Sequence, residues 1–194
     1  MRRLSVTRSR ADFMRRFILT GAPGAGKTAL IRYLENAGYP VVEEAATDII
    51  AREQQKGVQE PWTDPSFIES ILHLQEQRQR AAEDSSADVQ FFDRAPLDTY
   101  ALCLWLDSFF SGHLSSGLVA RIKQVQEAGR FEREVFFIES LGFCEPSSAR
   151  KISYEEALRF SKLHEDVYTE SNYRCLNIPP GPVPERAATL LSFL

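Results

Sequence analysis

Gly21-Ala22-Pro23-Gly24-Ala25-Gly26-Lys27-Thr28 is the stretch from which the fold can be read. It is a complete G-x-x-x-x-G-K-[ST] phosphate-binding loop, preceded by the apolar run Phe17-Ile18-Leu19 and followed by the helical pattern Leu30, Ile31, Leu34. A strand that turns through glycines into a helix aims backbone N–H groups and the positive end of a helix dipole at one point, as a chain of phosphates requires. In that arrangement Lys27 reaches the β- and γ-phosphates and the Thr28 hydroxyl ligates Mg²⁺. The expected ligand is a nucleoside triphosphate, with ATP and Mg²⁺ as cofactors.

Outward from the loop, four more short apolar runs recur at helix-length intervals. They are Tyr39-Pro40-Val41-Val42, Val89-Gln90-Phe91-Phe92, Val135-Phe136-Phe137-Ile138 and Cys175-Leu176-Asn177-Ile178. Strands alternating with helices predict a parallel sheet covered on both faces, an α/β fold. Local punctuation agrees. Gly38 ends the helix after the loop, Asp64-Pro65 opens a helix towards Glu83, and Ser153-Tyr154-Glu155-Glu156 is a capping box for a helix to about Thr169. Pro182 to Leu194 reads as a last helix.

In such sheets ligands gather beyond the carboxyl ends of the strands, so the residues after each run are the candidates. Glu43-Glu44 follows the second strand, Asp93-Arg94 the third and Glu139-Ser140 the fourth. Asp93 stands where a phosphate-loop protein places the carboxylate that holds magnesium, or it accepts a proton from a substrate hydroxyl, or it caps the helix from Pro96 to Asp107. Arg94 is read as reaching a substrate phosphate, with a surface ion pair as the alternative. Glu44 would take hydrogen bonds from an acceptor hydroxyl, or compensate a helix dipole, while Glu43 alternates away. Trp62, between two helices, would stack on a base or simply pack. Arg150 and Lys151 stand at the end of a segment of hinge-like composition, about 141–152, read as a lid that brings positive charge to the triphosphate.

The chain has 194 residues, 43% of them hydrophobic, enough for a single core. Net charge is −4, yet the first 16 residues hold a local +5, so the remainder carries −9. An acidic body argues against a nucleic-acid groove. Residues 1–15 are basic without a sustained apolar segment, and are expected to be a disordered leader rather than a secretory signal or membrane span, ahead of a kinase-like domain at 16–194. Their composition overlaps that of mitochondrial presequences, but the stretch is short and weakly amphipathic. Cys103, Cys144 and Cys175 are scattered and odd in number, so neither a disulfide framework nor a zinc pattern is expected, and a reducing cytoplasm fits. His73, His113 and His164 show no metal-ligand spacing and are read as surface or satisfied core histidines.

Taken together, Gly21 to Thr28, Val41-Val42-Glu43-Glu44, Pro61-Trp62, Phe91-Phe92-Asp93-Arg94, Val135-Phe136-Phe137 and Arg150-Lys151 followed by Tyr154-Glu155-Glu156-Ala157 resemble the AAA-domain P-loop proteins related to the nicotinamide riboside kinase domain of NadR. The resemblance spans about residues 16 to 194. It implies a P-loop NTPase with a five-stranded parallel sheet of the nucleoside and nucleotide kinase type and a helical lid carrying Arg150 and Lys151. Asp93, Arg94 and Glu44 match the family's polar positions. Two departures bear on the acceptor: Thr47 stands where relatives often carry Arg, and Ser147 where they often carry an acid.

Three function classes follow. A small-molecule kinase, transferring the γ-phosphoryl group of Mg-ATP to a nucleoside-like metabolite, uses every motif above. A regulatory nucleotide switch is the alternative, but Asp93-Arg94-Ala95-Pro96 lacks the D-x-x-G pattern and no N/T-K-x-D guanine-reading motif appears after the fourth or fifth strand. A remodelling ATPase would need a water-activating Glu where Arg94 stands.

Overall fold

The computed structural model describes residues 14–110, 112, 114–142 and 152–194. Residues 1–13 of the expected leader, 1–15, and Arg150 and Lys151 with most of the expected lid, lie outside the described residues; the last two leader residues belong to the fold instead, Met14 being buried and Arg15 opening the first strand.

Five parallel strands form one sheet: β1 (Arg15–Thr20), β2 (Val41–Val42), β3 (Val89–Asp93), β4 (Glu134–Ile138) and β5 (Arg174–Ile178), in the order β2-β3-β1-β4-β5. Parallel neighbours need crossovers, which here are α1 (Lys27–Asn36), α2 (Ala45–Gln55), α3 (Ser66–Ala81), α4 (Pro96–Asp107), α5 (Ser116–Ala128) and α6 (Tyr154–Glu170). A final helix, α7 (Val183–Leu191), returns against α1. A 3₁₀ turn, Pro61–Thr63, joins α2 to α3.

Alternation along each strand assigns its residues to two cores. Phe17, Leu19, Phe91, Phe136 and Ile138 pack with Leu30, Leu34 and Leu190 on the α1 and α7 face. Ile18, Phe92 and Val135 turn the other way, against Leu97, Ala101 and Tyr168 of α4 and α6. Burial on both faces explains why β1, β3 and β4 read as continuous apolar runs rather than as alternating ones, whereas the edge strands β2 and β5 are only partly buried. A third core joins α2, α3, α4 and α5 beyond the sheet, through Ile49, Ile68, Leu72, Leu106 and Ile122. Fully burying side chains of this size stabilises a fold by about 1.5–3 kcal/mol each.

Register then sets the site. β1 is central, and Leu19 pairs with Asp93 while Thr20 pairs with Phe137. The ends of β1 and β3 are therefore level, so the phosphate loop and the Asp93-Arg94 pair leave the sheet side by side. Helix limits differ from the sequence expectation by a residue or two. Asp64 Oδ1 accepts from the Ser66 N–H at 2.8 Å, and α3 ends at Ala81 rather than at Glu83. The Ser153–Glu156 capping box forms in both directions, at 3.2 and 2.8 Å. Among the described residues no helix is long and apolar enough to cross a membrane.

Candidate functional site

The phosphate loop owes its path to backbone chemistry. Gly21 has φ +124°, and a Cβ there would collide with the Ile138 carbonyl oxygen at the end of β4, so a side chain is excluded twice over. Gly26 has φ +86°, and a Cβ there would sit 3.1 Å from an Arg186 nitrogen. Within the loop Ala22 and Ala25 are buried as packing groups, whereas Pro23 lines the neighbouring cleft.

Lys27 is buried, and its Nζ donates to the Gly21 and Ala22 carbonyl oxygens at 2.9 and 2.7 Å. Burial, and after it the charge of Arg94, lowers its pKa from 10.5 to about 7. Thr28 is exposed and lines a cleft of about 170 Å³ together with Glu43, Glu44, Thr47, Asp48 and Asp93. Asp93 is buried, its Oδ1 has no hydrogen-bond partner, and burial followed by the Glu44 charge raises its pKa to about 6. The helix-capping alternative for Asp93 is not what forms. Asp98 does that work instead, its Oδ2 accepting the Ala95 N–H at 2.9 Å at the start of α4.

Arg94 is neither a surface ion pair nor a free arm. Its side chain is 11% exposed, and all three nitrogens donate inside the protein. Nε donates to Glu44 Oε1 at 2.7 Å, Nη1 to Asp98 Oδ1 and His164 Nε2 at 3.0 Å each, and Nη2 to the Gly21 carbonyl at 3.2 Å. Burial opposes its charge, but Glu44, Asp98 and Asp93 outweigh that cost and hold the guanidinium above its ordinary pKa. The residue also adopts φ +71°, a conformation uncommon for a side chain of this size, which turns it back under the phosphate loop.

Around this arginine stands a network that sequence reading missed. Asp98 is 2% exposed and accepts from Thr20 Oγ1 and the Tyr168 hydroxyl at 2.5 Å each. Burial alone would raise its pKa, yet the Arg94 charge and these donors hold it below the ordinary value. His164 accepts from Arg94, so its proton is on Nδ1, which donates to the Phe160 carbonyl at 2.7 Å. Burial and the Arg94 charge push its pKa down to about 4, leaving it neutral near pH 7. It is thus a satisfied core histidine, while His73 lies exposed on α3. The signal that could have found Asp98 is its position, one turn after Arg94 on the first turn of α4; nothing local marks Tyr168 or His164.

Glu44 is the N-cap residue just before α2, and its Oε2 accepts the Thr47 hydroxyl at 2.7 Å rather than a helix N–H. Its loop is tied to α3 by Arg78, which donates to the Glu43 and Glu44 carbonyls at 3.0 and 2.7 Å and pairs with Asp48. Glu43 is exposed. Glu44 also lines a second cleft, of about 110 Å³, with Arg94, Gln75, Thr99, Leu102 and His164. Trp62 does not reach this cleft; it lines an adjoining chamber with Trp105 and Phe109.

A further arginine supports the loop from behind. Arg186 of α7 is buried and donates to the Ala25 carbonyl at 2.7 Å and the Glu139 carbonyl at 3.0 Å, linking the phosphate loop to the end of β4. In the sequence it is indistinguishable from a surface charge on a terminal helix.

Among the described residues no group of three or more His, Cys, Asp or Glu has the arrangement of a metal site. Mg²⁺ does not need one, because it keeps waters and phosphate oxygens and takes only one or two protein ligands. The Asp93 carboxylate with its unpartnered oxygen, sharing a cleft with the Thr28 hydroxyl, fits that requirement.

The family model described as AAA domain matches residues 16–186. No curated protein sequence matches the chain. Among solved structures, NadR protein in complex with NAD and AMP-PNP is similar with a TM-score of 0.63 at 14% identity, covering 95% of this chain and 50% of that one. NadR protein in complex with NR superposes with a TM-score of 0.67 at 12% identity, over 95% of this chain and 52% of that one. Deoxyadenosine kinase from M. mycoides, with dCMP and dCDP as products, gives a TM-score of 0.65 at 14% identity, over 92% and 97% of the two chains. The chain thus spans about half the length of the NadR chains. At these identities the likeness establishes the fold alone, an α/β P-loop architecture on a five-stranded parallel sheet.

Proposed function

The chain belongs to the AAA-domain family, and from that premise we propose that it is a small-molecule kinase, passing the γ-phosphoryl group of Mg-ATP to a hydroxyl of a nucleoside-like acceptor. The observation that carries this reading is the position of Glu44. It lines both the cleft of Thr28 and Asp93 and the cleft of Arg94, Gln75 and His164, and so stands where donor and acceptor would meet.

Each residue then has a task. The loop from Gly21 to Thr28 cradles the donor phosphates through its N–H groups, and Lys27 exchanges its two loop carbonyls for phosphate oxygens. Thr28 and Asp93 would hold Mg²⁺, which when bound would supply positive charge to offset that of the donor phosphates. The acceptor oxygen forms a bond to the γ-phosphorus as the bond from that phosphorus to ADP breaks, and the hydroxyl proton passes to Glu44. Arg94 holds the Glu44 carboxylate at 2.7 Å and the Gly21 carbonyl at 3.2 Å, and is a positioning residue linking the two halves. Arg150 and Lys151 would add charge from the lid in the transition state.

A kinase of this kind keeps water from the γ-phosphate until its acceptor binds. Release of ADP from Mg-ATP, followed in a coupled assay, is expected to be slow alone and to rise with one or more members of a nucleoside panel. Rapid hydrolysis independent of any acceptor would replace the kinase with an ATPase.

A further inference from the structure

β2 is two residues long, and its ladder with β3 spans Val41 and Val42 alone. The chain then leaves the sheet through Glu43 and Glu44, where no strand pairing fixes its direction. A guanidinium from another helix fixes it instead. Arg78, in the last turn of α3, spreads its planar fork across this corner. Nη1 donates to the carbonyl oxygens of Glu43 at 3.0 Å and Glu44 at 2.7 Å, and Nη2 pairs with Asp48 in the first turn of α2.

Glu44 needs such a fixture. Its backbone is extended, with φ −63° and ψ 132°, and its side chain makes no cap hydrogen bond, so the start of α2 does not orient the carboxylate. Arg94 and Thr47 grip the two carboxylate oxygens, while Arg78 grips the backbone on which the carboxylate stands. The same helix presents Gln75, one turn before Arg78, to the cleft of Arg94, and Gln75 Oε1 accepts the Thr99 hydroxyl there at 2.8 Å. One rigid helix thus sets both a wall of that cleft and the corner that carries Glu44.

Two ordinary roles compete for Arg78. A cation in the last turn of a helix offsets the helix dipole, and a partly exposed pair with Asp48 adds a little stability. Neither role needs the fork, because the ammonium of a lysine serves both. Holding two successive carbonyls and a carboxylate at once does need it. Arg80 gives the comparison: it lies in the same last turn, is 72% exposed, and pairs only along its own helix, with Glu76.

We propose that Arg78 is a positioning residue for phosphoryl transfer, holding the Glu43–Glu44 backbone so that the Glu44 carboxylate stays between the two clefts while an acceptor lies against α3. The inference rests on the phosphotransfer reading, and its test separates the two. ADP release from Mg-ATP is followed with adenosine, guanosine, cytidine and uridine in turn, and the best acceptor for the parent is carried to the variants with both substrates varied. Arg78→Lys is expected to lower kcat by about 10- to 100-fold, the cost of a slightly misplaced reacting group. KM for Mg-ATP should stay within about threefold, since the phosphate loop is untouched. The melting curve should remain cooperative, and amide hydrogen exchange at residues 43–48, measured without ligand, should quicken. Arg78→Gln should lose kcat likewise, whereas Arg80→Gln, which removes the same charge from the same turn, should keep the parental value.

Parental kcat in Arg78→Lys overturns the positioning role and leaves the kinase. Equal losses in Arg78→Gln and Arg80→Gln reduce Arg78 to a dipole partner and overturn it too. So does a fall in kcat with parental exchange at residues 43–48, because the backbone would not have moved. Loss of a cooperative melt in Arg78→Lys makes the residue structural and overturns positioning. Absence of ADP release by the parent with all four nucleosides overturns the phosphotransfer reading and the positioning role together.

Discussion

The phosphate-loop motif is eight consecutive residues, Gly21 to Thr28, whereas the neighbouring cleft proposed to take the acceptor draws Glu44, Gln75, Arg94, Asp98 and His164 from four separate segments of the chain. On the first side backbone conformation does the shaping: positive φ at Gly21, Gly24 and Gly26 bends the loop, and Lys27 closes on its own carbonyls. On the second side buried charges do it. Arg94 and Asp98 compensate each other, with Glu44 and a neutral His164 completing the set. A local motif tolerates change in the rest of the protein, but a network of buried ions is only as stable as its weakest partner.

The sharpest way to break this contrast is Asp98→Asn. The substitution keeps the shape but leaves the buried Arg94 charge short of a counter-ion, so unfolding free energy should fall by about 3–5 kcal/mol. Chemical denaturation measures that loss, and titration of a fluorescent ATP analogue at low temperature should show donor affinity within a few-fold of the parent. Equal losses of stability and donor affinity would mean that the two sides form a single unit.

Lys27→Ala makes the complementary cut. The side chain's hydrogen bonds go to its own loop, so the fold should hold while Mg-ATP binding weakens and transfer drops by about 10²–10³, as when a charge donor to the transition state is lost. Unchanged turnover in a purified Lys27→Ala protein would remove the loop from the chemistry.

Arg186→Gln tests whether the phosphate side is as self-contained as its sequence suggests. The Ala25 and Glu139 carbonyls lose a charged donor, and stability should fall by about 1–3 kcal/mol. Donor affinity should fall with it, because the loop loses its tie to β4, while acceptor affinity should not. Calorimetric titration with Mg-AMP-PNP and melting curves read the two effects, and a variant with parental donor affinity would show the tie to be dispensable.

The smallest effect is one of pH. Burial and the Arg94 charge lower the Lys27 pKa from 10.5 to about 7, so between those values the unfolded chain binds more protons there than the folded one. Stability therefore rises with pH through that window, and the gain is absent below it. In scanning fluorimetry without ligand the parent should gain on Lys27→Met from pH 7 to 9. Parallel curves would show that the ammonium is not held at a cost.

Residues 21–28, the apolar runs and the Ser153 capping box were each legible because their meaning is local: φ, period and cap chemistry are properties of a few neighbouring residues. Asp93, Arg94 and Glu44 stood out as strand-end residues, and the structure brings all three into one cluster with Lys27. Their partners did not stand out. Asp98 reads as an ordinary first-turn acid, Arg186 as a surface charge and Trp105 as a helix core residue, and only the packing of α4, α6 and α7 on the sheet gives each its contact. Trp62 was singled out for stacking in a general way, but its membership of a chamber walled by Phe160 depends on where α6 lies.

The sequence by itself determined the class of fold and the phosphate loop, because glycine at positive φ, apolar periodicity and helix capping act within a turn or two of chain. The strand order β2-β3-β1-β4-β5, the level ends of β1 and β3, and the joining of Glu44, Arg94, Asp98 and His164 were decided only in three dimensions. Glu44 and Asp98 lie 50 and 4 residues from Arg94, and His164 lies 70 away. Their energies arise from removing charges from water together, which no stretch of sequence undergoes alone.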